Sequence, residues 1–357
     1  MDYVRIPYRK LSVFCEKIFE KCGFTPEEAA QIVDVLMCAD LYGIESHGVQ
    51  RLIRYYHAIE EGSIDPKAGI TLVHGTPVSR VYDAPRTMGQ LVARRGMLEA
   101  ISMAKDHGIG AVCVRGSNHY GIAGYYTRMA AQEDLLGLCM TNTEAIAIPT
   151  YGRKAMLGTS PIALCMPADP VPFWFDTATT VVTRGKLEVY NKNEKPLPEG
   201  WAADEKGHPC SEADRVLANI IGKKGGGIFP LGGAEELTGS HKGYGLGIIV
   251  ELFTSIFAGG TTSPHVQKSG NADTSFCFWA IDYGIFGDKA DIRARMSNLL
   301  QELRDSPKAE GHDRIYTHGE KEVESEARIK AEGVPVNLKT LSEMRMIASK
   351  VGVEEDL

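Results

Sequence analysis

Hydrophobic positions along the chain fall into two regimes. From the N-terminus to about residue 62 they recur at helical spacing. "KLSVFCEKIFEKCG" carries an apolar stripe and stops at Gly23. In "TPEEAAQIVDVLMCADLYG" Thr25 is placed to cap, Pro26 to fill the first helical position and Glu28 to close a capping box, and Gly43 ends the run. Val49, Leu52, Ile53 and Tyr56 then continue at helical spacing, which predicts a third helix from Val49 with His47 and Arg51 on one face at i, i+4.

Past the turn-rich "EEGSIDPKAG" the pattern changes. Strand-like runs ("VSRVYDA", "IGAVCVRG", "LGLCMTN", "SPIALCMPA", "PFWFDTAT") alternate at first with helical ones ("MGQLVARRGMLEAISMAKDHG", "AGYYTRMAAQEDLLG"), as expected of an α/β sheet domain. A glycine-rich loop, "GKKGGGIFPLGG", precedes a strongly apolar helix over "HKGYGLGIIVELFTSIFAGG". Residues 300 to 330 read as a solvated helix and loop, and "LKTLSEMRMIASKVGV" as a closing helix. Residues 205 to 238 carry no site assignment.

At 357 residues the chain exceeds the roughly 250–300 at which single cores divide, so two units are expected. A composition of 43% hydrophobic and 24% charged residues is that of a globular protein. The net charge of -7, without a dense Lys/Arg block, argues against nucleic acid or an anionic membrane as partner. Eight dispersed cysteines without a C-x-x-C pair read as free thiols in a reducing compartment, and the N-terminus has no apolar leader. Cytoplasm is the expected location. Ten histidines show no metal-ligand spacing, and no metal is expected.

Candidate chemistry sits where strands end. "VRGSNHYGIAGYY" runs a strand into Ser117, Asn118 and His119, and in open α/β sheets ligands lie at such carboxyl ends; a capping turn would explain the serine and asparagine but not the imidazole. "FWFDTATT" ends at Asp176, which could orient a histidine or simply cap a helix, followed by Thr177, Ala178, Thr179 and Thr180. In "GSHKGYG" Lys242 stands at a helix start, where a shared anion would offset the helix dipole. The G-x-G-x-x-G fingerprint, the P-loop, H-E-x-x-H and G-x-S-x-G do not occur in these contexts. Any dinucleotide would be held by other means.

In order along the chain, Ser46-His47-Gly48 with Arg51 and Tyr55, Ser117-Asn118-His119 with Gly121, Thr141-Asn142-Thr143, Asp176-Thr177-Ala178-Thr179 and His241-Lys242-Gly243-Tyr244-Gly245 resemble the malate/L-lactate dehydrogenase family, which is unrelated to the Rossmann-type lactate dehydrogenases. The resemblance extends from about residue 5 to residue 350. It also takes in sulfolactate and ureidoglycolate dehydrogenases, diketogulonate reductases and cyclic-imine reductases. What it implies is a three-layer α/β/α mixed sheet of non-Rossmann type with an N-terminal helical domain. Residues 1–75, joined by the C-terminal helix 337–352, would carry the substrate helix, and 76–336 the cofactor. The implied reaction is hydride transfer between NAD, or NADP, and C2 of a small 2-hydroxy or 2-oxo acid, malate first, in a homodimer.

By motif, His47 and His119 would be catalytic with Asp176, while Arg51 and Tyr55 would hold substrate. Thr143, Asp176, Thr177, Ala178, Thr179, Thr183, Lys186, Lys242, Gly243, Gly319 and Glu320 would face the cofactor. Departures from the family pattern are His318 for a proline, Lys321 for an arginine, and Asp-Thr-Ala-Thr-Thr for Asp-Met-Ala-Thr-Ser. The chemistry agrees with the residue types. A histidine exchanges the hydroxyl proton in either direction, and a guanidinium fork fixes the carboxylate. A reductase of a cyclic imine or diketo acid, and a nucleotide-binding module without turnover, are the alternatives. A dicarboxylate would need a further cation that no motif supplies.

Overall fold

The computed structural model describes residues 3–266, 272–354 and 357; Met1 and Asp2 of the expected helical unit lie outside them. After β1 (Tyr3–Ile6), helices α1 (Tyr8–Lys21) and α2 (Pro26–Leu41) form an antiparallel pair that buries Leu11, Ile18 and Phe19 against Ile32, Val33 and Leu36. The expected capping box is closed: Thr25 Oγ1 accepts Glu28 N–H, and the Glu28 carboxylate receives Thr25 N–H.

The third helix departs from expectation. Glu45–His47 and Val49–Arg51 are two separate 3-10 turns, and α3 begins only at Leu52 and runs to Glu60. The interruption has a physical cause. Gly48 has a non-helical ψ of -149°, and the buried Asp40 carboxyl on α2 accepts Val49 N–H at 2.8 Å, taking a donor that a continuous helix would need. His47 and Arg51 therefore do not share an α-helical face.

The main sheet has seven strands in the order β2 (Thr71–Thr76), β3 (Ser79–Asp83), β4 (Ile109–Ser117), β10 (Thr274–Ile281), β5 (Leu136–Thr141), β6 (Ile162–Met166), β7 (Phe173–Thr177). Only β3–β4 is a parallel pair; the other neighbours are antiparallel. β10, which the sequence pattern did not predict, occupies the middle. Its Phe276 and Phe278 face one layer and Cys277 and Trp279 the other, so no polar alternation marks it. One layer holds α4 (Gly89–His107) and α5 (Ala123–Gln132). The other holds α8 (Ser240–Glu251) and a π-helical turn, Leu252–Ile256, into which the long apolar helix breaks. Three layers, α/β/α, with a mixed sheet result.

A small lobe is inserted after β7. α6 (Arg184–Lys192), β8 (Ala202–Ala203), α7 (Ala213–Gly222) and β9 (Gly227–Ile228) enclose their own core of Leu187, Val216, Ile220 and Ile228. The segment expected as solvated helix and loop is two helices, α9 (Lys289–Asp305) and α10 (Glu320–Glu332), flanking a loop. The chain then returns to its start. β11 (Val334–Asn337) pairs antiparallel with β1, and α11 (Leu338–Val351) packs on α1 and α3. Among the described residues, no helix is long and apolar enough to cross a membrane, and no cluster of His, Cys, Asp or Glu is arranged to hold a metal ion.

Candidate active site

One cavity, of about 510 Å³, lies where the helical unit, the ends of β4, β5 and β7 and the start of α6 meet. It gathers His47, Arg51, His119, Thr143, Asp176, Thr177, Ala178 and Thr183 from the sequence-predicted set. Their elements explain the convergence: the 3-10 turns after α2 supply the first two, and three strand ends supply most of the others.

The two imidazoles lie with ring centroids 5.5 Å apart and planes inclined by 31°. His47 Nδ1 meets Ser46 Oγ at 2.8 Å. His119 Nδ1 is approached by Tyr55 OH at 2.6 Å and by Gly121 N–H at 3.4 Å. Burial raises the Tyr55 pKa to about 12, so its hydroxyl keeps its proton and donates. With donors converging on Nδ1, the neutral His119 ring carries its own proton on Nε2. Burial first, then the charges of Arg51 and Arg54, lower the His47 pKa to about 3. His119 is pushed well below its ordinary value by burial, then by Arg54, His47 and Arg51. Both rings are thus uncharged at neutral pH.

Asp176 does not orient either imidazole as expected. Its Oδ2 accepts Gly124 N–H at 2.7 Å at the start of α5, and burial raises its pKa to about 6. Ser46 and Tyr55 are the imidazole neighbours instead. Tyr55 itself is not in the cavity wall; it is buried behind His119. Thr179 is likewise buried, its N–H and hydroxyl both directed to Thr159 O. Lys186 lies in the first turn of α6, and Lys242 is exposed near the start of α8. Gly243 backs onto Leu231, whose carbonyl oxygen stands 2.3 Å from where a Cβ would be. Gly319 and Glu320 are packed at the α10 start: Gly319 against Pro172 and Trp174, and Glu320 beside Arg304 and Arg314. None of Lys186, Lys242, Gly243, Gly319 and Glu320 lines the cavity.

Sequence reasoning missed Arg54, Glu144, Arg184, Gly185 and Glu188 in the cavity wall. Arg54 had a legible signal, since it follows Arg51 by three residues in "RLIRYY". The others sit on loops and on a helix start that no apolar pattern marks. That start is chemically apt for a phosphate: α6 opens at Thr183 without a side-chain cap, and the nearest atom to where a Gly185 Cβ would be is Ser46 Cβ at 3.8 Å. A wall of this kind fits a dinucleotide without a glycine-rich fingerprint.

Paired half-buried imidazoles, an arginine and an uncapped helix start, held by a mixed three-layer sheet, are chemically suited to proton exchange on a small anion beside a phosphate-bearing group. The comparisons give that class its family. Residues 6–345 match the family model for malate/L-lactate dehydrogenase. The chain is 43% identical to a malate dehydrogenase of Pyrococcus abyssi, covering 99% of this chain and 96% of that one. It is 33% identical to an L-sulfolactate dehydrogenase of Methanocaldococcus jannaschii over 94% of both. The crystal structure of malate dehydrogenase from Entamoeba histolytica superposes with a TM-score of 0.95 over 100% of both chains at 34% identity. The protein belongs to the malate/L-lactate dehydrogenase family. It is an oxidoreductase of the dehydrogenase class, and membership implies a nicotinamide cofactor.

Proposed function

We propose that the protein interconverts a small 2-hydroxy acid and its 2-oxo acid, malate and oxaloacetate foremost, with NAD. The observation that carries this reading is the half-buried imidazole pair beside Arg51, with Tyr55 OH and Gly121 N–H directed at His119 Nδ1. Malate leads because two of the three relatives described above bear that name. Thr143, Thr177, Ala178 and Thr183 with the start of α6 would hold the cofactor, which when bound takes or gives a hydride at its nicotinamide ring.

The chain's own residues handle the anion and the proton. Arg51, already anchored by a 2.5 Å bond from Nε to Ser46 O, keeps its outer nitrogens for the substrate carboxylate. His119 Nε2–H donates to the C2 oxygen. His47, neutral at pH 7, takes the hydroxyl proton during oxidation. In the reverse direction it must carry a proton. A substrate anion that neutralises the arginines favours its charged form and so raises its pKa.

Purified protein mixed with NADH or NADPH and a panel of 2-oxo acids and cyclic imines, followed at the reduced-nicotinamide absorbance, tests the reading. Consumption with oxaloacetate and NADH supports it; consumption with none of the panel refutes it. Single-turnover rates separate the imidazoles: His47→Ala loses proton exchange, whereas His119→Ala retains an acid/base and loses the donor. Exposed Leu246, Ile248, Ile249, Leu252, Ile256 and Phe257 along α8 and its π turn support a homodimer closed over this face. Light scattering at twice the 39.0 kDa chain mass is the expected result. The eight unpaired cysteines support a reducing, cytoplasmic setting.

A further inference from the structure

Arg51 and Arg54 stand three residues apart where the second 3-10 turn runs into α3, a spacing that sets side chains beside each other at about 5–6 Å between Cβ atoms. Both line the cavity. Like charges so close repel, and among the described residues no carboxylate forms an ion pair with either guanidinium. Arg184 is paired with Glu188 at 3.0 Å, Lys223 lies 3.9 Å from Glu144, and Asp176 is engaged with Gly124 N–H. Arg51 has one backbone partner. Arg54 has no hydrogen bond or ion pair among the described residues, although it sits in a wall with Ser46, His47 and Glu144. Burial lowers its pKa, Arg51 and Arg184 add to the lowering, and Tyr55 and Glu144 oppose it. A guanidinium does not lose its proton under such pressure; it remains a charge in want of an anion.

We infer that Arg54 is the specificity-determining cation that receives the second anionic group of a dianionic substrate, while Arg51 holds the carboxylate next to the reacting carbon. The inference rests on the proposed hydride transfer for its reaction, but its electrostatics are those of the free cavity. A substrate with one carboxylate satisfies Arg51 and leaves Arg54 partly desolvated and unpaired. The diacid satisfies both and relieves their repulsion. Selectivity then comes as much from the penalty on the monoacid as from attraction for the diacid.

Wild type, Arg54→Gln and Arg54→Lys are compared for kcat/KM with oxaloacetate and with pyruvate. Their binding of succinate and of butyrate, in saturating NADH, is measured by calorimetry. In Arg54→Gln the oxaloacetate-to-pyruvate ratio of kcat/KM is expected to fall about 10- to 100-fold, as for loss of a charge-assisted hydrogen bond, and succinate affinity to fall by a similar factor relative to butyrate. Arg54→Lys, which keeps the charge, recovers part of both ratios. If wild type turns over neither 2-oxo acid while succinate binding still depends on Arg54, the dianion site stands and the hydride-transfer reading falls. Absence of succinate binding by wild type, or ratios left unmoved by Arg54→Gln, overturns the inference.

Discussion

Substituting Gly48 with alanine tests how the histidine loop is built. The residue has φ -84° and ψ -149°, so a left-handed backbone is not the issue. Space is: an added Cβ would lie 1.8 Å from Asp40 Oδ1 and 2.1 Å from Asp40 Cγ. Asp40 is buried, and burial raises its pKa to about 8, so near neutrality the group is chiefly the uncharged acid, accepting Val49 N–H. A methyl group at residue 48 must push that carboxyl away. Losing the hydrogen bond in a buried setting costs about 1–3 kcal/mol, and overpacking costs about 1–3 kcal/mol more. At about 1.3 °C per kcal/mol for a chain of this size, Gly48→Ala is expected to lower Tm by roughly 3–8 °C. His47 precedes the altered residue, and a displacement of about 1 Å would reduce turnover on the order of 100-fold. Differential scanning fluorimetry and steady-state rates measure both effects. The decisive control is Asp40→Ala: once the carboxyl is gone, adding Gly48→Ala should cost less than about 0.5 kcal/mol further. An alanine that melts with wild type, or whose full cost persists without Asp40, refutes the account.

Tyr55→Phe keeps the ring and removes the donor to His119 Nδ1, freeing the imidazole tautomer; kcat should fall about 10- to 100-fold, and a rate within 2-fold of wild type would exclude the hydroxyl from the site. The pH profile of oxidation follows from the lowered pKa of His47. Because burial and then Arg51 and Arg54 disfavour its protonation, the free enzyme keeps its base as pH drops, and the acid-side decline in kcat/KM should lie well below the ordinary value of about 6.5. Arg54→Gln removes one repelling charge and should move that decline upward. Profiles between about pH 4.5 and 9 decide it, with a wild-type decline near 6.5 as the refuting result.

The helices with caps were legible because their stop signals are chemical: Thr25, Pro26, Glu28 and the two positive-φ glycines at residues 23 and 43. Strand ends were legible as candidate positions, and His119, Thr143 and Asp176 do line the cavity. The turn at Gly48 was not, since it depends on a carboxyl eight residues earlier in α2. Nor was β10, whose apolar residues are covered on both faces and so carry no period. The small lobe escaped because its strands are two residues long. Which helix Asp176 would cap was not legible either, because the Gly124 amide it accepts belongs to a helix distant in sequence.

The central place of β10 bears on how the chain is made. β4 and β5 leave the ribosome first, yet neither pairs with the other in the finished sheet; the strand that joins them ends roughly 140 residues later, about 7–28 s at ordinary elongation rates. For that interval two apolar edges stand unfilled, with Val112, Val114, Cys139 and Met140 awaiting their cover. A nascent chain of this topology depends on whatever keeps those edges from closing on each other, and slow refolding from denaturant is the expectation for a sheet completed by so late a strand.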